Sequence, residues 1–504
     1  MPISVYNSLT RQVEDLVPVI DGTVSIYVCG PTVYSDAHIG HTMGPVVFDA
    51  VARWLRCRGY RTQLVNNITD IDDKIIARSR ETHEDWRALT ERYTEQYLDL
   101  LAALGVETID SHPRCSDHVE HMVAFVQELV DRNVAYPAED GVYFDVAAYA
   151  DYGKLTGRER ESSQSGGRVS KTTGDLRNPE DFCLWKFAKP DEPKWPSPWG
   201  EGRPGWHIEC SVMSEQLLGP EFDIHGGGDD LKFPHHENEV AQSRAAGRPF
   251  ARVWMHNGLI QFQGAKVAKS DPRMRDRDFA AQFRAKHAVE IYGGPTVRFL
   301  FLQGHYRKPV EFSPRSLDAA RTSLQRLHDL LGDLLDEPKA LTAQQRVTLF
   351  SAERPETDPQ LAPLFAPWPQ ASAHIDTFRQ AMDQDFNTGR AIAELFTIAR
   401  HARRETDPAI RRAMLLWLRE LGRCIGMFRP EDAVAMRQLR PAATQSDAAD
   451  ATLADGLMQL ILELRAEARA NKDFATADRI RDGLAEHGIT VTDAPDGATW
   501  TRKH

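Results

Sequence analysis

The sequence predicts an α/β protein: a parallel-sheet domain interrupted by an insertion, then a bundle of helices, then a small α+β unit. Three observations predict it. A strand–turn–helix–strand pattern fills residues 23–68, a stretch rich in Gly, Pro, Ser and charge breaks that pattern at 137–205, and helical spacing dominates from about residue 315. A chain of 504 residues has room for about three or four domains.

Each element follows from its residues. Residues 23–29 (TVSIYVC) read as a short buried strand, and Gly30-Pro31 forces a turn after it. From Pro45 to Arg58 apolar residues recur at helical spacing, with Gly59 as the stop, and residues 62–68 (TQLVNNI) form the second strand. Residues 84–104 and 117–134 read as amphipathic helices, completing a first half-domain at 1–136. The insertion spans 137–205. The strand, loop and helix pattern resumes over 206–265, a junction occupies 266–314, and helices at 316–335, 376–404 and 411–428 make a bundle within 315–430. Residues 431–455 are Ala-, Gln- and Asp-rich and read as a linker; 456–504 form the last unit, with helices at 456–470 and 474–487 before GITVTD. No internal repeat is visible.

Composition narrows the class. With 41% hydrophobic and 27% charged residues, and no apolar run of membrane-spanning length, the chain reads as soluble and globular. The N-terminal segment lacks a basic head followed by an apolar stretch, so a cytoplasmic location is expected. Six scattered cysteines make no disulfide framework; in a reducing compartment such residues serve metals or catalysis. The net charge of −12 would seem to disfavour nucleic acid, but placement matters more than the sum. Residues 398–440 hold ten Arg against five acids, either a nucleic-acid surface or a solvated helical face.

Two short motifs carry chemistry. His38-Ile39-Gly40-His41 falls between the first strand and its helix, where two imidazoles can donate to phosphate near a helix N-terminus. Gly40 leaves room for a flat base against the backbone. Lys266-Val267-Ala268-Lys269-Ser270 places two lysines three apart, able to neutralise charge developing on a leaving pyrophosphate. Taken singly, each is as readily a pair of turn histidines or a solvated lysine pair.

Taken together, with YVCGPTVY, NNITDIDDKII, GWHIECS, DIHGGGDDLKFPHHENE, HYRKPVEFS and the tail ADRIRDGLAEHGITVTD, they resemble the cysteine-specific class I aminoacyl-tRNA synthetases in the family's own order over nearly the whole chain. The resemblance implies a Rossmann-type catalytic domain, a tRNA-binding helical bundle and an anticodon-binding C-terminal unit. It also implies L-cysteine, ATP with Mg²⁺, and tRNA(Cys) as substrates, and one zinc ion per chain. Positions matching the family's zinc ligands are Cys29, Cys210, His235 and Glu239. The i and i+4 spacing of His235 and Glu239 suits one helix face, and each cysteine is expected beside a strand end. Thr69, Trp206, His207 and Asp230 would line the amino-acid pocket, with Asp230 on the substrate ammonium. Gly226, Gly227 and Gly228 would admit adenosine close to the backbone, unless they form an ordinary glycine loop. His38, His41, Lys266 and Lys269 would position and neutralise phosphates. A monomer with no membrane attachment is expected.

The resemblance has two departures. Thr42-Met43-Gly44-Pro45 follows HIGH where an Arg-containing segment is usual, and Pro45 is expected in the first helical turn. Val267 and Ala268 replace Met and Ser in the second signature. Two other readings compete: a cysteine:amino-sugar ligase of mycothiol synthesis, and a non-catalytic paralogue that binds cysteine or RNA. The extensive C-terminal region weighs against the first, and the intact ligand, histidine and lysine sets against the second. No segment is long enough for an editing domain, so discrimination against serine falls to the metal.

Overall fold

The computed structural model describes residues 2–158, 176–266, 280–337, 341–438, 458, 461–471, 473–486, 489–494 and 497–502. The chain forms two units, Met1–Met436 and Arg437–His504.

The first unit begins with an antiparallel hairpin, β1 (Ser4–Asn7) and β2 (Gln12–Asp15). Strand β3 (Thr23–Val28) follows, then helix α1 (Gly40–Cys57), β4 (Arg61–Asn66), α2 (Asp73–Thr82), α3 (Trp86–Ala103) and α4 (Val119–Asp131). Beyond the insertion come α5 (Trp206–Leu218), β9 (Glu221–Gly228), α6 (Glu237–Ala245) and β10 (Phe250–Asn257). Strands β10, β9, β3 and β4 lie side by side in that order, all parallel. Val24, Ile26 and Val28 of β3, with Leu64 and Ile224 beside them, are wholly buried under α1, as a parallel sheet covered by helices requires. The chain order reverses between β3 and β9, and the carboxyl ends of these strands open into a crevice there.

Helix α1 starts at Gly40, earlier than its apolar pattern suggests. Gly40 and His41 of its first turn face the crevice and Thr42 turns its hydroxyl back to the Ile39 carbonyl (2.8 Å), so the periodic signal begins only at the following turn. Pro45 therefore lies beyond the first turn and not within it; without an N–H it cannot donate to the His41 carbonyl. Further on, the expected helix over 376–404 is two, Ala371–Asp383 and Thr388–Arg404. Asp385 and Phe386 adopt left-handed backbone, and Asn387 caps the second helix by accepting from the Arg390 N–H. The Asp385 carboxylate accepts from the Tyr6 N–H (2.9 Å) and the Tyr306 hydroxyl (2.7 Å), which holds the break against the N-terminal hairpin.

The insertion is more ordered than its composition implies. It forms a four-stranded antiparallel sheet of β5 (Ala135–Pro137), β6 (Gly141–Phe144), β7 (Phe182–Phe187) and β8 (Gly202–Pro204). Val142, Phe144, Leu184 and Trp185 are buried with Met122 and Val126 of α4 and Ile208 and Met213 of α5, giving the sheet a core shared with the catalytic half-domains. Strands of three to six residues between Gly- and Pro-rich flanks carry too little periodicity to be read beforehand. Residues 159–175, expected as a loop, lie outside the described residues.

The arginine-rich stretch divides in two. Arg419 is fully buried and donates to Glu420 and the Glu337 carbonyl, while Arg429 pairs with Asp432 (2.6 Å) and Glu107 (2.9 Å). Arg400, Arg403, Arg404, Arg411 and Arg412 are exposed. Part of the local positive charge is scaffold. At the hub of that scaffold, Asp49 of α1 accepts from Arg298 Nη2 (2.6 Å), Arg53 Nε (2.8 Å), the N–H groups of Glu107 and Thr108, and the Thr108 hydroxyl.

In the second unit, residues 461–470 are helical, followed by a helix at Phe474–Glu486 and an antiparallel hairpin of Ile489–Ala494 and Gly497–Arg502. Part of the expected linker is helix, Pro430–Gln438; residues 439–457 lie outside the described residues.

Candidate active site

A cleft of ≈ 550 Å³ opens at the carboxyl ends of β3 and β9. Its walls include Cys29 and Gly30, the HIGH residues His38, Gly40 and His41, Lys74, Trp206, Gly227, Gly228 and Asp230. Gly30 is demanded by close approach: a Cβ there would lie 1.6 Å from the Asn67 carbonyl oxygen. Its N–H donates to Asn67 Oδ1 (2.8 Å), while the Cys29 N–H donates to the Gly226 carbonyl (3.1 Å) and fixes the thiol at the end of β3.

The two histidines of HIGH are held by their own loop. His38 Nδ1 accepts from the Gly40 N–H (3.1 Å), and His41 Nδ1 accepts from the His38 N–H (3.3 Å). With each Nδ1 an acceptor, the neutral rings carry their protons on Nε2 as donors. His38 also stacks on Phe283, 5.9 Å between centroids.

Cys29, Cys210, His235 and Glu239 converge at the cleft wall, where Cys29 is part of the lining and the other three are buried behind it. The Cys29 and Cys210 sulfurs are 3.6 Å apart, Cys29 Sγ is 3.7 Å from Glu239 Oε1, and His235 Nε2 is 3.1 Å from the same oxygen. One ligand atom from each of the four residues lies within 4.8 Å of all the others. For zinc–sulfur bonds of about 2.3 Å, a tetrahedral edge is about 3.8 Å, which the sulfur pair nearly matches. Burial pushes both thiols and the Glu239 carboxyl up and the His235 imidazole down, so the set is uncharged by itself. A divalent cation reverses the preference of the thiols and carboxyl, and two sulfurs, a nitrogen and an oxygen form a donor set that zinc accepts. Two positions differ from expectation. Cys210 lies within helix α5, not beside a strand end, and His235 sits in a π-turn, Lys232–His236, that leads into α6. The i,i+4 spacing still brings His235 to Glu239 because the extended Phe233 breaks the turn before His235, and the backbone at His236 and Glu237 is helical.

Three further residues belong here. His225 Nε2 meets Glu239 Oε2 at 2.7 Å, and His236 Nε2 lies 3.3 Å from Cys29 Sγ with its Nδ1 against His256 (2.8 Å). Cys29, His225, His236 and Glu239 thus form a second candidate ligand group. The first group is the better match to a thiophilic cation because it brings two sulfurs. With it as ligand shell, His225 donates to the outer oxygen of Glu239 and aims Oε1 inward. Lys74, at the start of α2, lies in the cleft wall with Nζ 5.7 Å from the Tyr34 ring centre. Histidines in HGGG and PHHENE were visible as residues, but only the folded turn after β9 shows that they face one another, with 4.7 Å between the His225 and His236 ring centres.

The remaining expected residues fall into distinct places. Trp206 stacks on His235 at 4.3 Å, joining the cleft to the ligand cluster, and His207 Nδ1 lies 2.9 Å from His235 Nδ1. Burial lowers the His207 imidazole to about 3, so it is a neutral group. Thr69 is buried beneath the cleft, donating its hydroxyl to Glu209 (2.8 Å). Gly226, Gly227 and Gly228 end strand β9 and do not form a loop. Gly226 is packed under Phe48, whose ring a Cβ would meet at 2.1 Å, and only Gly227 and Gly228 reach the cleft wall. The Lys266 backbone pairs in a short hairpin with Gln261, while Lys269 lies outside the described residues.

Comparison with known proteins agrees with this arrangement. Residues 15–322 match the tRNA synthetases class I (C) catalytic domain, 377–429 the DALR domain, and 458–500 the cysteinyl-tRNA ligase anticodon binding domain. The cysteine–tRNA ligase of Alkalilimnicola ehrlichii is 44% identical, covering 99% of this chain and 100% of that protein. That of Heliobacterium modesticaldum is 43% identical, with 100% of both covered. Among solved structures, the Agrobacterium radiobacter LeuRS–tRNA–LeuAMS ternary complex aligns with a TM-score of 0.57 at 13% identity, over 85% of this chain and 86% of that one. Mycobacterium tuberculosis methionyl-tRNA synthetase bound by methionyl-adenylate gives 0.53 at 15% identity, over 85% and 96%; at such identities the likeness is one of fold. With a catalytic-domain match across more than half its length and full-length relatives above 40% identity, the chain belongs to the cysteine–tRNA ligase family of class I aminoacyl-tRNA synthetases.

Proposed function

We propose that the chain activates L-cysteine with ATP and transfers it to the 3′-terminal ribose of tRNA(Cys), releasing pyrophosphate and AMP. The observation that carries this reading is the convergence of a cleft-wall thiol, a buried thiol, an imidazole and a carboxyl at a cleft rimmed by the HIGH histidines. Cys29, Cys210, His235 and Glu239 would hold zinc, which when bound supplies a soft Lewis acid for the substrate thiolate and a poor site for a serine hydroxyl.

The chain's own groups do the rest. Asp230, at the cleft wall, receives the substrate ammonium, and Trp206 closes the apolar side. Thr69, buried beneath the cleft, gives its hydroxyl hydrogen to Glu209 and accepts from Asn67 Nδ2 (3.3 Å), which ties together the floor under the amino acid. The cysteine carboxylate attacks the α-phosphorus of ATP; the new C–O–P bond forms as the bond to pyrophosphate breaks. His38 and His41 present Nε2–H donors to phosphate oxygens, while Lys266 and Lys269 neutralise the leaving pyrophosphate. Lys74 supplies a cation in the cleft where the segment after HIGH lacks its usual arginine. Gly227 and Gly228 admit the adenosine. The ribose hydroxyl of tRNA then attacks the acyl carbon and expels AMP. The exposed arginines of the bundle and the 456–504 unit would bind the tRNA's stem and anticodon. Mg²⁺ enters with ATP, and the protein works as a cytoplasmic monomer.

An amino-sugar ligase would share the adenylation chemistry but has no use for an anticodon-binding unit. The deciding experiment is charging of total tRNA by purified protein with cysteine or serine, with and without a chelator. Chelator-sensitive charging with cysteine alone is expected. Cysteine-dependent ATP turnover without charging would transfer the reading to another acceptor, and neither activity would leave a binding protein.

A further inference from the structure

A second cleft, of ≈ 440 Å³, lies on the other side of the Gly228–Phe233 turn and shares Asp230 with the reaction cleft. Tyr6, Ser8, Arg11, Arg158, Lys232 and Phe233 shape it, together with Asp229. Arg11 occupies the β1–β2 turn with left-handed backbone (φ 60°), and its guanidinium rests on Gly157. A Cβ at Gly157 would lie 1.7 Å from Arg11 Nη2, so only glycine lets that guanidinium reach the cleft beside Arg158. Lys232 pairs with Asp229, but among the described residues no carboxylate pairs with Arg11 or Arg158. Two guanidiniums brought into one cleft without a carboxylate partner make a site for an anion.

We infer that this cleft binds the phosphodiester backbone at the 3′ end of the tRNA. The inference rests on the proposed transfer to tRNA and adds where the acceptor end enters. ATP is allotted to the HIGH side of the reaction cleft, and none of His38, Gly40 or His41 borders the second cleft. An acceptor ribose needs a path to the amino-acid carboxyl that ATP does not fill, and the shared Asp230 marks where the two clefts meet. The aromatic rings there are already occupied: Arg158 lies 3.9 Å from the Phe233 ring centre and Arg307 lies 4.3 Å from that of Tyr6. The cleft therefore offers guanidinium donors and no open stacking face, which suits phosphate contact and not base readout.

The test uses Arg11→Ala, Arg158→Ala and the double variant in the full chain, with parent protein alongside. Cysteine-dependent ATP–pyrophosphate exchange reports activation without transfer, and charging reports the KM for tRNA. The inference expects exchange constants within about twofold of the parent, and a tRNA KM raised about tenfold in the double variant. Binding of tRNA trimmed of its 3′-terminal nucleotides should be equal in parent and variant. An unchanged tRNA KM overturns the inference. Equal loss of exchange would assign the cleft to nucleotide phosphates, and equal weakening toward trimmed tRNA would assign it to another part of the tRNA; either overturns it too. Absence of exchange in the parent protein would instead sink the underlying reading.

Discussion

Asp49→Asn removes one charge from the centre of the first unit and should cost about 3–5 kcal/mol. The magnitude follows from what the carboxylate holds. It takes five hydrogen bonds, two of them from Arg298 and Arg53, and Arg298 is only 2% exposed. Arg298 also donates to the Gly105 carbonyl (3.1 Å) and the Ile425 carbonyl (2.9 Å), so it links α1, the turn after α3 and the end of the helical bundle. An asparagine would turn an N–H₂ toward these donors and leave a buried guanidinium uncompensated. Against a total stability of about 5–15 kcal/mol, the loss is about a fifth or more. The pH dependence has a definite sign. Burial alone would raise the Asp49 carboxyl, but the Arg298 and Arg53 guanidiniums outweigh burial and hold it well below the usual carboxylate range. Its contribution is therefore complete above the unfolded carboxylate value of about 3.9 and is lost as pH falls toward the folded one. Thermal melts of parent, Asp49→Asn, Arg298→Met and the pair Asp49→Asn/Arg298→Met at pH 7 and pH 3.5 test this. Both single variants should melt well below the parent at pH 7, the pair should cost far less than their sum, and the penalty of Asp49→Asn should shrink in acid. Additive costs, or an Asp49→Asn melt indistinguishable from the parent, would refute the argument.

Other outcomes are as open to measurement. Cys210→Ala and Glu239→Gln should each reduce zinc content by elemental analysis and abolish cysteine-dependent exchange, whereas His225→Ala should weaken zinc about 10–100-fold without removing a ligand. Lys74→Met should slow exchange about 10²-fold with the cysteine KM little changed; unchanged turnover would exclude it from phosphate neutralisation. Gly30→Ala should destabilise the protein by about 1–3 kcal/mol and displace Cys29, because its Cβ would collide with the Asn67 carbonyl; an ordinary melt with full zinc content would contradict the geometry.

Legibility varied with how local each signal was. Strand β3 and its glycine turn were readable because TVSIYVC and Gly30-Pro31 specify them within a few residues. The extra turn at the start of α1 was not, since Gly40 and His41 face a cleft and residues 40–44 carry no apolar period. The break at Gln384–Asn387 was hidden because apolar residues continue through it; what stops the helix is an aspartate tied to Tyr6 and Tyr306, far away in sequence. Of the site, the expected quartet is brought together, and so are the HIGH histidines with Trp206 and Asp230. His225 and His236 escaped notice because a histidine beside a glycine run has no meaning until the strand order is known.

That strand order explains how a cluster drawn from positions 29, 210, 235 and 239 can be set before any ligand arrives. Cys29 is fixed by its own N–H on the Gly226 carbonyl, so the end of β3 and the end of β9 move as one. His225, one residue earlier on β9, grips one oxygen of Glu239, and His235 meets the other. Each contact crosses between elements that the sheet or its covering helices already hold in register. The histidines also keep the surroundings neutral: burial lowers His225 to about 3 and His236 well below its ordinary value, so no protonated imidazole competes with a cation for the thiolates. A donor set of which three members are buried and one, Cys29, opens on the cleft would give a bound zinc a preference for a soft thiolate over a hard, hydrated hydroxyl. On the proposed function, discrimination between sulfur and oxygen would then be set by the packing around Cys29, Cys210, His235 and Glu239.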